Sequence, residues 1–379
     1  MIPRQLMSSP KSIVFGVFLA YMTSIAYLSF KGGDITSLFF ISRDVAENSE
    51  VDFARKIKVL DEGGYDGQYY LIHSYGLLEP SKVMPSPYRS RPLLPLIVSF
   101  FGLPKYNPEL FVMINSICLL ASLFLLSRFY QNYLSHEQQL WAHSFLLNLG
   151  MLTSFRFQLT ETLALVLFLL VCFLCLKKKE SLGTYLLISL VAALALLARD
   201  AFVFALAGLG VFSLIMRRWA LSGSLIISLF PILWIRHLFI TGDDKLPLIN
   251  LFSIYDYAIK RVSFDSLYFA VSSNLFWVMI IFLSFATYSI ARNLNREDKP
   301  QWLFGLCCLF SIIFLGFFNP TSAWGNISGV ARHLAVLFPL LPLCCRSKDI
   351  KALSVLNLFL SAIFVYWVIA YRYQWSEFP

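Results

Sequence analysis

Three carboxylates, Asp61, Glu62 and Asp66, lie close together in the stretch Asp61-Glu-Gly-Gly-Tyr-Asp-Gly-Gln-Tyr-Tyr70, and a second polar cluster, Tyr88-Arg-Ser-Arg-Pro92, follows it. Gly63, Gly64 and Gly67 surround Asp66, and glycine reaches backbone conformations closed to other residues, so this loop can come close to a ligand. A carboxylate there has the chemistry of a general base toward a hydroxyl, provided a neighbour sets its orientation and pKa. Arg89 and Arg91 carry planar guanidiniums that grip oxyanions two oxygens at a time and stay charged throughout. Tyr88 adds a hydrogen-bond donor beside them, and Tyr70 a phenol at the end of the acidic stretch. Two plainer readings stay open at this stage. Asp66 can cap a helix expected over 67–75, and the arginines can extend their stems to place their charges at an interface.

The rest of the chain has to hold these groups in place, and its composition restricts how. Of 379 residues, 58% are hydrophobic and 14% charged, and the mean hydropathy is +0.68. This is outside the range of ordinary soluble domains. The length accommodates ten or eleven spans of about 20 residues each in one continuous helical bundle. The expected fold is therefore an all-α, polytopic membrane protein that forms a single domain over 1–379. A first span over 12–30 precedes a long polar segment, 31–109, and further spans follow at about 110–127, 139–154, 159–176, 183–198, 201–216, 219–238, 271–291, 301–318, 331–345 and 352–371. The apolar run Leu93–Leu103 is about half a span and reads as an interfacial or re-entrant helix. The net charge of +9 does not imply nucleic acid, because the basic residues form no stripe. They sit in short loops between apolar runs, the positive-inside pattern. The seven cysteines fall inside apolar runs without metal-ligand spacing and read as small packing residues.

The first span is longer than a secretory h-region and reads as an uncleaved anchor with its N-terminus in the cytoplasm. With that orientation, Arg128, Lys177-Lys-Lys179, Arg217-Arg218, Arg292 to Lys299 and Arg346 to Lys351 all fall on the cytoplasmic side, and the acidic loop falls outside. Further polar groups share the outer face: Arg156 with Glu161, the pair Arg199-Asp200, and Arg332-His333. Ionisable residues near membrane depth face a bundle interior or a polar cavity, so Arg156, Glu161, Arg199 and Asp200 are candidate substrate-binding groups and Arg332 a second oxyanion ligand. A structural Arg156–Glu161 pair, and a polar Arg199-Asp200 that ends a helical hairpin, remain open alternatives. There is no Walker loop, Rossmann glycine fingerprint, His-Glu-x-x-His or nucleophile elbow.

The pattern Tyr-Asp-Gly-Gln-Tyr-Tyr, followed by Tyr-Arg-x-Arg-x-x-x-Pro, resembles bacterial membrane proteins of the GT-C glycosyltransferase superfamily. It is also similar to the Trp-Asp-Gly-x-x-Tyr element of the PIG-V mannosyltransferases, with Tyr65 in place of the tryptophan. The similarity covers about the first third of the chain. It implies a GT-C-like bundle of about eleven spans with a long, catalytic first extracytoplasmic loop. The implied reaction is a single inverting displacement that moves a sugar from a polyprenyl-phosphate donor to a glycan, lipid or protein acceptor. In that scheme Asp66 is the base, Asp61 or Glu62 is a second acid that could hold Mg or Mn, and Arg89, Arg91, Tyr88 and Arg332 take the donor phosphate. Glu161 occupies the place of a second acidic residue in such enzymes. The missing nucleotide-phosphate loop favours a lipid-linked donor over a nucleotide sugar. The compact loops lean toward a bacterial inner membrane, with the site facing the periplasm. A lipid or glycan flippase, a cell-surface glycan polymerase or ligase, and an inactive subunit of a larger complex are the rival readings. Reporter fusions after Lys179, Arg218 and Arg346 are expected to read cytoplasmic, and those at Gly67 and Gly325 external. A cytoplasmic signal at Gly67 would overturn the site assignment.

Overall fold

A computed structural model describes residues 10–61, 63–76, 86–177, 181–239, 267–294, 298–318, 332, 335–370 and 375–378. The chain is mostly helical, and its first helix, α1 (Pro10–Gly32), shows how it is built. Val14, Tyr21, Ile25 and Leu28 are buried, a spacing of three, four or seven that lines one face. Phe15, Leu19 and Phe30 lie on the other side and are exposed. The Tyr21 hydroxyl donates to the Leu146 carbonyl at 3.0 Å.

The polar segment after α1 contains a small mixed sheet, which an all-α expectation did not include. It is formed by β1 (Ile41–Ser42), β2 (Ile57–Leu60) and β3 (Trp375–Phe378) in the order β1-β2-β3. β1 runs parallel to β2, with Ile41 beside Val59. β3 pairs antiparallel to β2, Ile57 with Phe378 and Leu60 with Trp375. β-Branched Ile41, Ile57 and Val59 suit a half-buried pleat. The third strand comes from the far end of the chain, so no local pattern announces the sheet. Short helices α2 (Arg43–Asn48), α3 (Gly67–Tyr75), α4 (Ser86–Arg89) and α5 (Leu93–Phe100) complete this region. At about 1.5 Å per residue α5 is roughly 12 Å long, too short to cross a bilayer.

Two stretches among the described residues, Pro10–Gly32 and Pro104–Tyr133, are long and apolar enough to cross a membrane by length and composition. The second contains α6 (Asn107–Tyr133). Arg55 ties the two together where they meet the sheet. It donates to Asp34, just past α1, at 2.9 and 3.1 Å and to Glu109, in the first turn of α6, at 2.6 Å. Burial alone would lower the Arg55 pKa, but the two carboxylates outweigh it and raise it above its usual value.

Three of the expected spans are interrupted. The segment expected over 139–154 consists of α7 (His136–Ala142), a 3-10 turn His143–Leu146, and α8 (Leu149–Arg156). Ser135 starts α7 with a reciprocal capping box to Gln138, and Asn148 starts α8 by accepting from the Met151 amide at 3.0 Å. Helix-initiating side chains inside an apolar run therefore break it. The segment over 219–238 is α12 (Trp219–Ile227) followed by α13 (Phe230–Phe239). Between them α9 (Glu161–Leu176), α10 (Leu182–Ala198) and α11 (Phe202–Ile215) match expectation closely, and α14 (Leu267–Asn293) and α15 (Lys299–Phe318) follow. The described part of 331–345 is a single turn, α16 (Leu337–Leu340), running into a 3-10 turn Leu341–Leu343. Pro339 and Pro342 each lack the amide a continuous helix needs. The last helix is α17 (Ser347–Ala370).

α11 and α15 pack together at Gly208, where a Cβ would lie 2.5 Å from the Leu306 carbonyl oxygen. Gly210, two residues further on the same helix, has open space around it. Gly208→Ala is therefore expected to force the helices apart and cost about 1–3 kcal/mol. Gly210→Ala should be neutral or stabilising, by up to about 1 kcal/mol of helix propensity. Thermal unfolding of the two variants in detergent checks this, and equal stability would show that the close approach does not matter.

Candidate functional site

The sheet sets the position of the acidic stretch. β2 ends at Leu60, and the chain turns back through Gly63, at φ +76°, so that the Tyr65 amide donates to the Phe40 carbonyl at 3.0 Å. The Gln68 Oε1 accepts from the Ser42 amide at 3.0 Å and its hydroxyl at 3.3 Å, fastening α3 to β1. Gly67 is needed for a different reason. A Cβ there would lie 2.2 Å from the Phe157 carbonyl oxygen, so only glycine lets α3 start against this turn.

Asp66 stands at the N-terminus of α3 and makes no side-chain capping bond. Its Oδ2 is ion-paired with Arg332. Arg332 also lies over the Tyr65 ring, 5.9 Å from its centroid, and Tyr65 stacks on Phe157 at 3.8 Å. Arg156 lies 4.5 Å from the Phe157 centroid and 5.1 Å from that of Phe40. The result is a column of alternating cation and ring faces, Arg332, Tyr65, Phe157, Arg156 and Phe40, each contact of the favourable cation–π or stacked type.

One turn along α3, Tyr70 is fully buried. Its hydroxyl accepts from Arg91 Nη1 at 3.2 Å and from Arg199 Nη1 at 3.4 Å. Arg91 also grips Asp200 at 2.9 Å through Nε and Nη2. Arg199 Nε lies 3.3 Å from Glu161 Oε1, with both side chains almost wholly buried. That contact is electrostatic and not an aligned hydrogen bond, since neither atom has a hydrogen-bond partner. Ser154 donates to the other Glu161 oxygen at 3.1 Å. Burial would lower the Arg91 pKa, but Asp200, Tyr70 and Tyr88 reverse this and hold it above the usual value. Burial, helped by Tyr70, pushes the Tyr88 phenol up, only partly offset by Arg91 and Arg199. Tyr88 thus stays a neutral donor, with its ring stacked on Tyr69 at 4.7 Å.

Asp66, Arg332, Arg156, Tyr70, Tyr88, Arg91, Arg199, Asp200 and Glu161 are thus gathered around α3. Arg91 is turned inward to Asp200 and Tyr70 and away from any outside interface, and Glu161 pairs with Arg199. Arg89 Nε and Arg199 Nη2 are buried and have no hydrogen-bond partner among the described residues. Asp61 lies apart from this group. Its Oδ1 accepts from Ser376 at 2.7 Å and faces Arg43 at 3.5 Å, so this oxygen is engaged at the sheet. Glu62 and His333 lie outside the described residues, as do the segments around 240–266 and 319–331. Among the described residues no group of three His, Cys, Asp or Glu could hold a metal ion; Glu62, the other candidate ligand beside Asp61, lies outside them. Residues not singled out from sequence also matter here: Phe157, Gln68, Ser154 and Ser376. Gln158 takes φ +52° and has its amide fixed by Asn115 at 3.0 Å and Phe155 at 2.7 Å, a turn that nothing in its sequence marks. No family model, curated protein or solved structure matches this chain.

Arg199→Met leaves Glu161 buried without a counter-charge and is expected to cost about 3–5 kcal/mol. Adding Glu161→Gln removes the stranded charge and should recover most of the loss. Thermal unfolding of the single and double variants tests this, and a single variant as stable as the parent would show that the pair holds nothing.

Proposed function

We propose that this chain is a polytopic membrane glycosyltransferase of GT-C type, which moves a sugar from a polyprenyl-phosphate donor to an acceptor on the extracytoplasmic face. The observation that carries the reading is the meeting of Asp66 and Arg332. The two sequence candidates for base and phosphate ligand are far apart in the chain and are brought into contact beside Tyr65. The donors left open on Arg89 and Arg199 add anion-binding capacity nearby.

The membrane setting has two supports. Leu182, Leu186, Leu190, Trp219, Ile226, Phe230 and Trp234 are exposed on α10, α12 and α13, and contiguous apolar surface of this kind suits lipid. In a membrane setting, the pairing of β2 with β3 requires that the first loop and β3 share one side. An even number of crossings must separate them, and the spans expected between 110 and 371 are even in number.

In this mechanism the acceptor hydroxyl oxygen attacks the anomeric carbon and its proton passes to an Asp66 oxygen. The bond from that carbon to the phosphate oxygen breaks, and its electron pair leaves with the phosphate. Guanidiniums aimed at the departing oxygens stabilise the charge that develops there. Arg332 serves both partners in turn. It is paired with Asp66 in the free protein, and a donor phosphate competes for it and leaves the carboxylate available. No step is routed through a metal.

Asp66→Asn keeps size and most hydrogen bonds but accepts no proton at neutral pH. Transfer from radiolabelled polyprenyl-phosphate sugars by purified protein should fall by about 10²–10⁴-fold. Full activity in that variant would reduce Asp66 to a structural partner of Arg332. Arg89→Lys and Arg332→Lys keep charge but lose the fork, so the apparent affinity for donor should drop; unchanged affinity in both would remove the phosphate role.

A further inference from the structure

β3, from the far end of the chain, pairs with the edge of β2, the strand that leads within a few residues to Asp66. Three side-chain links reinforce that edge. Lys58 Nζ meets Glu377 at 3.1 Å, Ser376 Oγ donates to Asp61 at 2.7 Å, and Arg43 Nη2 donates to Ser376 Oγ at 2.8 Å. Arg43 follows β1 directly and Asp61 follows β2 directly, so Ser376 bridges the exits of both strands. The Ser42–Gln68 bonds at the end of β1 and the Phe40–Tyr65 bond just before it, made to the chain that follows β2, place α3. Strand pairing and side-chain bridge thus act on the same few residues from which Asp66 projects.

We propose that β3 is a clasp for the catalytic loop, and that Ser376 is a positioning residue that sets Asp66 through Asp61, Arg43 and the β2 edge. The proposal rests on the reading of Asp66 as the base. In the absence of the clasp, β2 becomes an edge strand and the turn through Gly63 and Gly64 loses its fixed support. Displacement of a reacting group by about 1 Å can lower turnover by about 10²-fold.

Ser376→Pro and Glu377→Pro test this. Alternate residues of an antiparallel strand bond to the neighbour, so one of the two prolines removes a ladder amide. A third variant, Lys58→Cys/Ser376→Pro/Glu377→Cys, can be oxidised with a copper–phenanthroline complex to restore the link across the directly opposed pair 58 and 377. Amide hydrogen exchange over residues 57–70 and transfer kinetics are measured on each. The expected result is faster exchange in at least one proline variant, with kcat lowered by about 10–100-fold and donor KM little changed. Oxidation of the third variant should slow exchange and recover turnover, which rules out a general loss of fold. Unchanged exchange in both proline variants, or faster exchange with undiminished kcat, would overturn the clasp. Absence of transfer by the parent protein would instead overturn the transferase reading, with the exchange data still deciding whether β3 holds the loop.

Discussion

A guanidinium taken out of water has to be matched by a carboxylate or by well-placed acceptors, because its desolvation costs several kcal/mol. Arg91 and Arg199 are both buried, and their partners account for the position of α3. Asp200 and Glu161 neutralise the two charges, and the Tyr70 hydroxyl accepts from both arginines. Tyr70 is therefore fixed at a point where three segments meet: the approach to α5, the start of α9 and the link between α10 and α11. Asp66 lies four residues earlier, about 6 Å along the helix axis. Its position follows from charge pairing a turn away more than from any contact of its own.

The other end of α3 is held by shape. Gly67 admits the Phe157 carbonyl, and the turn that presents this carbonyl is itself locked. Gln158, in a left-handed conformation, is satisfied by Asn115 and Phe155, and Thr162 donates to Asn115 at 2.6 Å. Buried amides with all their partners specify one arrangement, whereas a half-satisfied set would cost free energy without doing so. The column of Arg332, Tyr65, Phe157, Arg156 and Phe40 then rests on a rigid turn. Polar contacts at Tyr70 and shape and aromatic contacts at Gly67 and Tyr65 thus restrain the first turn of the same helix.

The parts of this arrangement legible in sequence are those whose signal is local. The glycine-flanked acid, the two arginines and the long apolar runs each sit in one window, and the structure puts Asp66, Arg91, Arg199, Asp200, Glu161 and Arg332 in one neighbourhood. The partners were not legible, because pairing depends on which helices touch. Arg91 carries the chemistry of an oxyanion ligand, yet it is turned inward to Asp200. Asp61, separated from Asp66 by Glu62, two glycines and a tyrosine, belongs to the sheet, because a strand from the far end of the chain brings Ser376 to it. Broken helices were expected from the short apolar runs, but where they break was not legible, for a related reason. Hydropathy averages over Ser135, Asn148 and the prolines at 339 and 342, which decide where a helix starts or stops.

An aspartate already engaged by a guanidinium is a weaker proton acceptor than a free one, since the opposite charge favours its ionised form. In the transferase reading the Asp66–Arg332 pair occupies the carboxylate in the resting protein. A donor phosphodiester carries one negative charge, as a carboxylate does, takes the arginine fork in the same two-oxygen geometry, and gains a second charge as its bond to the sugar breaks. When a donor draws Arg332 across, the Asp66 carboxylate is freed while a leaving group is in place. The ion pair and the displacement then form one sequence of events, with the base available only once a phosphate is bound. The rigid support around Tyr70 and Phe157 matters in that sequence, because Asp66 has to keep its position after its partner has moved.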